Sequence, residues 1–388
     1  MSKILEFLLQ LQEECGGAIP VERYMREALY HPEFGYYARN IRTVGRRGDF
    51  ATSASLGEAL GSAIARWLSK NRILERGKMG NGEDAKRASG ERGPAFSSPA
   101  QTSAPSAIPP FPLFPRWHVI EAGAGTGELA RTVLRRLGMW GRRGLTYHIV
   151  ETSPVLRAEQ QRALPQFRVA WHDSMADALA ACGGRALIFS NELIDAFPCR
   201  VLEHRSGNWT EIGVRIDNGR VVECALPRIP PPDLPQALPD GQRIEVHVSA
   251  AEWIASWAGA ASEARMLTID YGGTMPALYH RRPRGTLRAY FHHQRYEGIE
   301  IYNRFGKQDI TADVNFTNLR DWTERCGWRT LALATQADFF AGHGATRAGL
   351  HDAQLADHTG AGAAFKVLIQ EKSAPPPNDR PARQNALR

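Results

Sequence analysis

Residues 117–127 read WHVIEAGAGTG, and the ten that follow read ELARTVLRRL. The bulky apolar pair Val119 and Ile120 leads to Glu121, after which Gly123, Gly125 and Gly127 alternate with small residues. Leu129, Val133, Leu134 and Leu137 then return at helical spacing. The stretch reads as a strand, a tight glycine turn and a helix. Glycine has no Cβ and enters positive φ readily, so such a turn lets backbone lie flat against a ligand.

The spacing narrows the ligand. A dinucleotide fingerprint, G-x-G-x-x-G, needs its third glycine at 128, where this chain has Glu128. No G-x-x-x-x-G-K-[ST] phosphate loop is present. A carboxylate beside a helix N-terminus suits a cation better than a pyrophosphate, and S-adenosylmethionine carries both an ammonium and a sulfonium. The pattern E-x-G-x-G-x-G resembles the first motif of Rossmann-like, S-adenosylmethionine-dependent methyltransferases.

Strand and helix signals alternate from this point, which predicts a parallel sheet. Strands are expected at 117–122, 146–151, 167–171, 186–190, 266–270 and 364–370, with helices at 127–137, 153–163 and near 249–259. Residues 200–226 read as an antiparallel meander with turns at Ser206-Gly207-Asn208 and Asp217-Asn218-Gly219. Upstream, Ile19-Pro20 is expected to start a helix in which Val21, Tyr24, Met25 and Leu29 share a face. The expected fold is α/β, a class I methyltransferase sheet with an N-terminal helical lid over 1–76 and an antiparallel β insertion at about 199–248. Residues 77–115 and 372–388, rich in Gly, Ser, Ala and Pro or in Pro alone, read as a disordered linker and tail around a core at 116–371.

Composition excludes several classes. The chain has 388 residues, 43% hydrophobic and 23% charged, and no apolar run near the ~18 residues of a membrane span. The opening MSKILEFLLQLQEECGG interleaves Glu and Gln with leucines, an amphipathic helix rather than a signal or transit peptide. Five scattered cysteines without C-x-x-C suggest neither a disulfide framework nor a zinc or iron–sulfur site, and a cytoplasmic location is expected. No histidine pair falls in H-x-x-x-H or H-E-x-x-H spacing, so no metal is expected, and no G-x-S-x-G elbow appears. The net charge is +7, but residues 76–116 hold six Lys/Arg against three Asp/Glu and residues 372–388 hold four against one. The remainder is near neutral, so a nucleic-acid footprint is not expected.

Candidate site residues follow from the strand ends. Glu151 closes the second strand 24 residues after Gly127, placed to accept ribose hydroxyls. Asp173, with Ser174 in reserve, follows the third strand and is the candidate for the adenine amino group, or alternatively a helix N-cap. Ser190 to Pro198 follows the fourth strand. There Asn191, Glu192 and Asp195 suit a guanidinium or amine, and one helical turn would put both acids on one face.

Several separated segments then match one family: ALYHPEFGYY, GDFATS, EAGAGTG, VETSPVLRAEQ, SNELIDAFP, TIDYGG, GTLRAY and QDITADVNF, in that order. Together, from about residue 18 to 371, they resemble the mitochondrial complex I assembly methyltransferase family, the mitochondrial dysfunction protein A family, which has many bacterial members. The resemblance implies an S-adenosylmethionine-dependent enzyme similar to a protein arginine methyltransferase, with a respiratory-complex subunit as substrate. It implies that Glu121, Gly123, Gly125, Gly127 and Glu151 bind the cofactor and that Gly48, Asp49 and Phe50 close over it. Asn191, Glu192 and Asp195 would face the acceptor, with Asp270-Tyr271-Gly272 ending a strand near the same cleft. The chain departs from the family in its long 77–115 insertion and in Asn315, where Asp is usual. A small-molecule N- or O-methyltransferase and a non-catalytic respiratory-complex assembly chaperone are the alternatives, and a homodimer is left open.

Overall fold

The glycine turn sits at the middle of the sheet that organises the molecule. The computed structural model describes residues 2–39, 58–72, 116–231, 234–235, 238–344 and 350–373. Gly48, Asp49 and Phe50, all of the 77–115 linker and nearly all of the tail lie outside them.

The N-terminal part comprises α1 (Lys3–Glu14), a two-residue strand β1 (Ile19–Pro20), α2 (Val21–Tyr30), a helical turn α3 (Tyr36–Arg39) and α4 (Ala59–Lys70). Ile19-Pro20 is thus a strand and not the first turn of the helix. Pro20 has φ −57° and ψ 141°, and it stands as the residue before α2. Val21, Tyr24, Met25 and Leu29 are buried on one face of α2, at the predicted positions.

Strands β2 (Trp117–Ala122), β3 (Leu145–Val150), β4 (Val169–His172), β5 (Arg185–Asn191), β10 (Glu263–Gly273), β15 (Arg329–Thr335) and β16 (Phe365–Lys372) form the main sheet. Their order is β15-β16-β10-β5-β2-β3-β4, with the two-residue β14 (Val314–Asn315) added at the end of β10. From β4 through β10 the neighbours run parallel, while β16 runs antiparallel to both β10 and β15. This is the expected doubly wound α/β sheet of the class I methyltransferase type. Its central strands are short apolar runs because both faces are covered. On one face α4 and α5 (Glu128–Gly141) pack over Trp117, Val119, Tyr147 and Phe189. Gly61 allows the close approach, since a Cβ there would lie 2.5 Å from Thr132 Cγ2. The other face is covered by α7 (Met175–Ala181), α8 (Val248–Trp257) and α9 (Phe316–Arg325). Between β3 and β4 runs α6 (Pro154–Ala163), whose N-cap is Ser153.

The predicted meander is present as β6 (Arg200–Arg205), β7 (Asn208–Asp217) and β8 (Arg220–Leu226), joined by tight turns in which Ser206-Gly207 and Asn218-Gly219 all have positive φ. With β9 (Arg243–Val246) and β1 it makes a second, five-stranded sheet, so the N-terminal segment is hydrogen-bonded to the insertion. A third sheet of β11 (Arg288–Phe291), β12 (Gln294–Tyr296) and β13 (Asp309–Thr311) lies between β10 and α9 in sequence. That sheet, α9 and the edge strand β15 are elements the sequence reading did not include. Asn315 is the N-cap of α9, its Oδ1 accepting from the backbone of Thr317 and Asn318. An aspartate would cap equally well, so the departure at 315 is structurally neutral.

Candidate active site

A cavity of about 660 Å³ opens at the C-terminal ends of β2, β3 and β5, where a doubly wound sheet places its ligand. Its floor is the glycine turn. Gly123, Gly125 and Gly127 all have positive φ, and a Cβ on Gly123 would strike Leu193 Cδ1 at 2.7 Å. A Cβ at Gly125 would meet no atom of the described residues within 4 Å, yet its φ of 53° is one that L side chains seldom adopt. Glu121 is buried beneath the turn and accepts a hydrogen bond of 2.6 Å from the Tyr147 hydroxyl. Burial pushes its carboxyl up to about 7, with the Tyr147 bond pulling the other way.

Glu151, just beyond β3, lines the same cavity. Its Oε1 accepts from the Ser153 amide at 2.9 Å and its Oε2 from Gln160 Nε2 at 3.0 Å, while burial raises its pKa against those bonds. Gln160 is fully buried on α6 and holds three parts of the site together. Its amide nitrogen also donates to the Gly125 carbonyl at 2.8 Å, and its Oε1 accepts from the Trp171 indole at 3.0 Å. The sequence reading quoted Gln160 within a motif without giving it a role.

Asn191, Glu192 and Asp195 also line the cavity, but not on a helical turn. Residues 192–199 are an irregular loop in which Glu192 takes φ 49° and its amide donates to the Ile269 carbonyl. Asp270 shapes this loop. Its Oδ2 accepts from the amides of Leu193, Ile194 and Asp195 at 3.2, 2.9 and 3.3 Å. Asp195 is buried and bonded to the Tyr271 hydroxyl, and its Oδ1 has no hydrogen-bond partner among the described residues. Burial drives the Asp195 carboxyl above its ordinary range. Behind it, Arg288 lies over the Tyr271 ring at 4.6 Å and pairs with Asp313 at 2.6 Å.

Asp173 and Ser174 are turned elsewhere. The Asp173 side chain is 82% exposed and pairs with Arg157 at 2.6 Å, and Ser174 is the N-cap of α7, accepting from the Asp177 amide. Neither is among the described residues that line the cavity.

The remaining walls come from residues that spacing alone did not reveal. Tyr30, Tyr36, Tyr37 and Asp309 form one side. The Tyr30 hydroxyl donates to the Ala196 carbonyl and the Tyr37 hydroxyl to Asp309 Oδ1, each at 2.9 Å. On the other side α8 presents Ser249, Glu252, Trp253 and Ser256 to the cavity. These are positions i, i+3, i+4 and i+7, one face of the helix, while Ala250, Ile254 and Trp257 are buried on the other. The Trp253 ring leans on Phe197, with centroids 5.4 Å apart. Seven carboxylates line the cavity (Glu121, Glu128, Glu151, Glu192, Asp195, Glu252 and Asp309), and Arg26 is the one Lys or Arg among its described lining residues.

This sheet order, with a glycine turn at its centre and a strand-end carboxylate beside it, defines a class I S-adenosylmethionine-dependent methyltransferase. Residues 108–334, more than half of the chain, match the family of S-adenosyl-L-methionine-dependent methyltransferases, and the chain belongs to that family. It is 28% identical over 350 residues to the mitochondrial protein arginine methyltransferase NDUFAF7 homolog of Drosophila melanogaster, covering 80% of this chain and 68% of that one. It is 26% identical over 338 residues to mitochondrial protein arginine methyltransferase NDUFAF7 of Danio rerio, covering 78% and 68%. A superfamily member from Burkholderia thailandensis, solved bound to S-adenosyl-homocysteine, superposes with a TM-score of 0.76 at 26% identity, covering 98% of this chain and 94% of that one. The cofactor is S-adenosylmethionine. Among the described residues no helix is long and apolar enough to cross a membrane.

Proposed function

We propose that this chain methylates arginine on a protein, the acceptor being a respiratory-complex subunit as the family resemblance implies. The charge of the cavity carries the proposal: among its described lining residues seven carboxylates against one arginine favour ligands that arrive as cations. The two relatives named above are described as protein arginine methyltransferases, which supports the same reading.

The residues present fit the cofactor. The glycine turn leaves open space over Gly125, and Glu151 offers a carboxylate, already oriented by Ser153 and Gln160, for ribose hydroxyls. Glu121 lies beneath the turn and adds negative potential under a cationic ligand. When bound, S-adenosylmethionine supplies a methyl carbon on a sulfonium, and transfer leaves a neutral thioether.

A guanidinium is protonated at all ordinary pH values, so its nucleophilic nitrogen needs acidic neighbours. Glu192 and Asp195 fill that role from the loop that Asp270 fixes. Asp195 accepts from Tyr271 on one oxygen, while the other, Oδ1, is buried and has no hydrogen-bond partner among the described residues. Its raised pKa makes it a better proton acceptor than an ordinary aspartate. The Phe197 and Trp253 rings with Glu252 offer an aromatic and acidic flank for a cationic side chain.

The test is transfer of a tritiated methyl group from S-adenosylmethionine into lysate lacking this protein, followed by acid hydrolysis of labelled protein. Label recovered as methylated arginine supports the proposal, and its loss with Glu192→Gln assigns the acceptor side. Label confined to small molecules, or none from a preparation shown to bind cofactor, overturns it.

A further inference from the structure

Three histidines that take no part in the cleft lie in a row across the sheet. His118 on β2, His148 on β3 and His172 at the end of β4 face the same side. His118 Nδ1 is 2.9 Å from His148 Nε2, and His148 Nδ1 is 2.8 Å from His172 Nε2. Cys182, the residue after α7, completes the group: one ligand atom each from His118, His148 and Cys182 all lie within 4.8 Å of one another. These three side chains are 7%, 3% and 5% exposed. Their surroundings (Ile120, Val150, Ala178 and Leu179) are apolar. None of the four lines the cavity described above.

We propose that His118, His148 and Cys182 form a structural zinc site, with His172 as the outer partner that orients His148. Two imidazoles and a thiolate are a borderline-soft ligand set of the kind zinc takes. Zinc–ligand distances of roughly 2.0–2.3 Å put tetrahedral ligand atoms about 3.3–3.6 Å apart. Here the ligand atoms are within 4.8 Å of one another, and the 2.9 Å contact between His118 Nδ1 and His148 Nε2 has to open slightly by ring rotation as the metal enters. The outer contact has the form a metal-bound histidine requires. With Nδ1–H donated to His172 Nε2, the Nε2 lone pair of His148 is directed toward His118. His172 is half-buried on the edge strand β4, which gives an ion a way in from the sheet edge. Binding exchanges the Cys182 thiol proton for the metal, releasing one proton to solvent. The metal would link β2, β3 and the end of α7. Ligands 30 and 34 residues apart in sequence carry no short zinc motif, which is why spacing did not reveal them.

The experiment titrates metal-free, full-length protein with Co²⁺ as a spectroscopic stand-in and with Zn²⁺. One equivalent should bind, and the cobalt form should show a thiolate-to-metal charge-transfer band. Cys182→Ser should remove the band, and His172→Gln should keep it while weakening affinity roughly 10–100-fold. Should either variant fail to fold, X-ray absorption on the zinc-loaded wild type decides. A shell of nitrogen with one sulfur at about 2.3 Å supports the site. An oxygen-only shell, no stoichiometric uptake, or a band that survives Cys182→Ser overturns it.

Discussion

Glu121 is held in a position that penalises its charge. Its folded-state pKa of about 7 lies above the ordinary 4.5, so the folded chain binds that proton more tightly than the unfolded chain does. The resulting stabilisation is complete below about pH 4.5 and is lost as pH rises through about 7. Ligand-free protein should therefore lose roughly 1–3 kcal/mol from this group between about pH 5 and 8. Denaturant titrations across that range should show Glu121→Gln with a flatter profile, whereas an identical slope would mean the carboxylate is solvated. Glu151 gives a second residue-level prediction. Glu151→Gln keeps the side chain's shape but removes the charge, so affinity for S-adenosyl-homocysteine should fall roughly 10–100-fold by calorimetry. An unchanged affinity would remove Glu151 from the cofactor site. Both residues were legible in the sequence because each ends a short apolar run beside the glycine turn. The ion pair of Asp173 was not legible there, because Arg157 lies 16 residues upstream and only the packed structure brings the two side chains together.

The loop at 192–199 depends on a single carboxylate supplied by another element. Asp270 on β10 accepts from three successive amides there and from the Tyr271 amide as well. Asp270→Asn would turn an NH₂ group toward N–H donors, and leaving buried amides unpaired costs about 1–3 kcal/mol each. We expect the denaturation midpoint to fall and methyl transfer to drop at least tenfold. Retained transfer would show that the loop holds its shape without the carboxylate. The spacing of Glu192 and Asp195 suggested a helical turn, since the amide acceptor that prevents it lies 75 residues away from Asp195. The parallel strands were legible because each is a short apolar run bounded by a break. Strand β15 was not, because Arg329–Thr335 is half-exposed at the sheet edge and built of Ala, Leu and Thr without clear alternation. The cavity-facing stripe of α8 was hidden for another reason: its period shows which face is buried but not what the other face adjoins.

Across the whole molecule, the cleft is assembled from distant stretches of chain. Tyr30 reaches Ala196 across 166 residues and Tyr37 reaches Asp309 across 272, so the N-terminal segment forms one wall of a site whose floor belongs to the sheet. Replacing both with phenylalanine should leave the fold intact while weakening S-adenosyl-homocysteine several-fold, at about 1 kcal/mol per lost hydrogen bond. Equal affinity by calorimetry would show that this wall does not enclose the cofactor. The carboxylate lining has a kinetic consequence as well. The chain as a whole carries +7, whereas its cavity is acidic. Most of that charge lies in residues 76–116 and 372–388, so a positively charged visitor meets a near-neutral remainder and is attracted at the cavity opening. Productive encounters are selected by direction before any contact forms, and this filter acts over about a Debye length, roughly 8 Å at physiological ionic strength. Added salt should blur it, slowing capture of cationic peptides while sparing that of neutral ones.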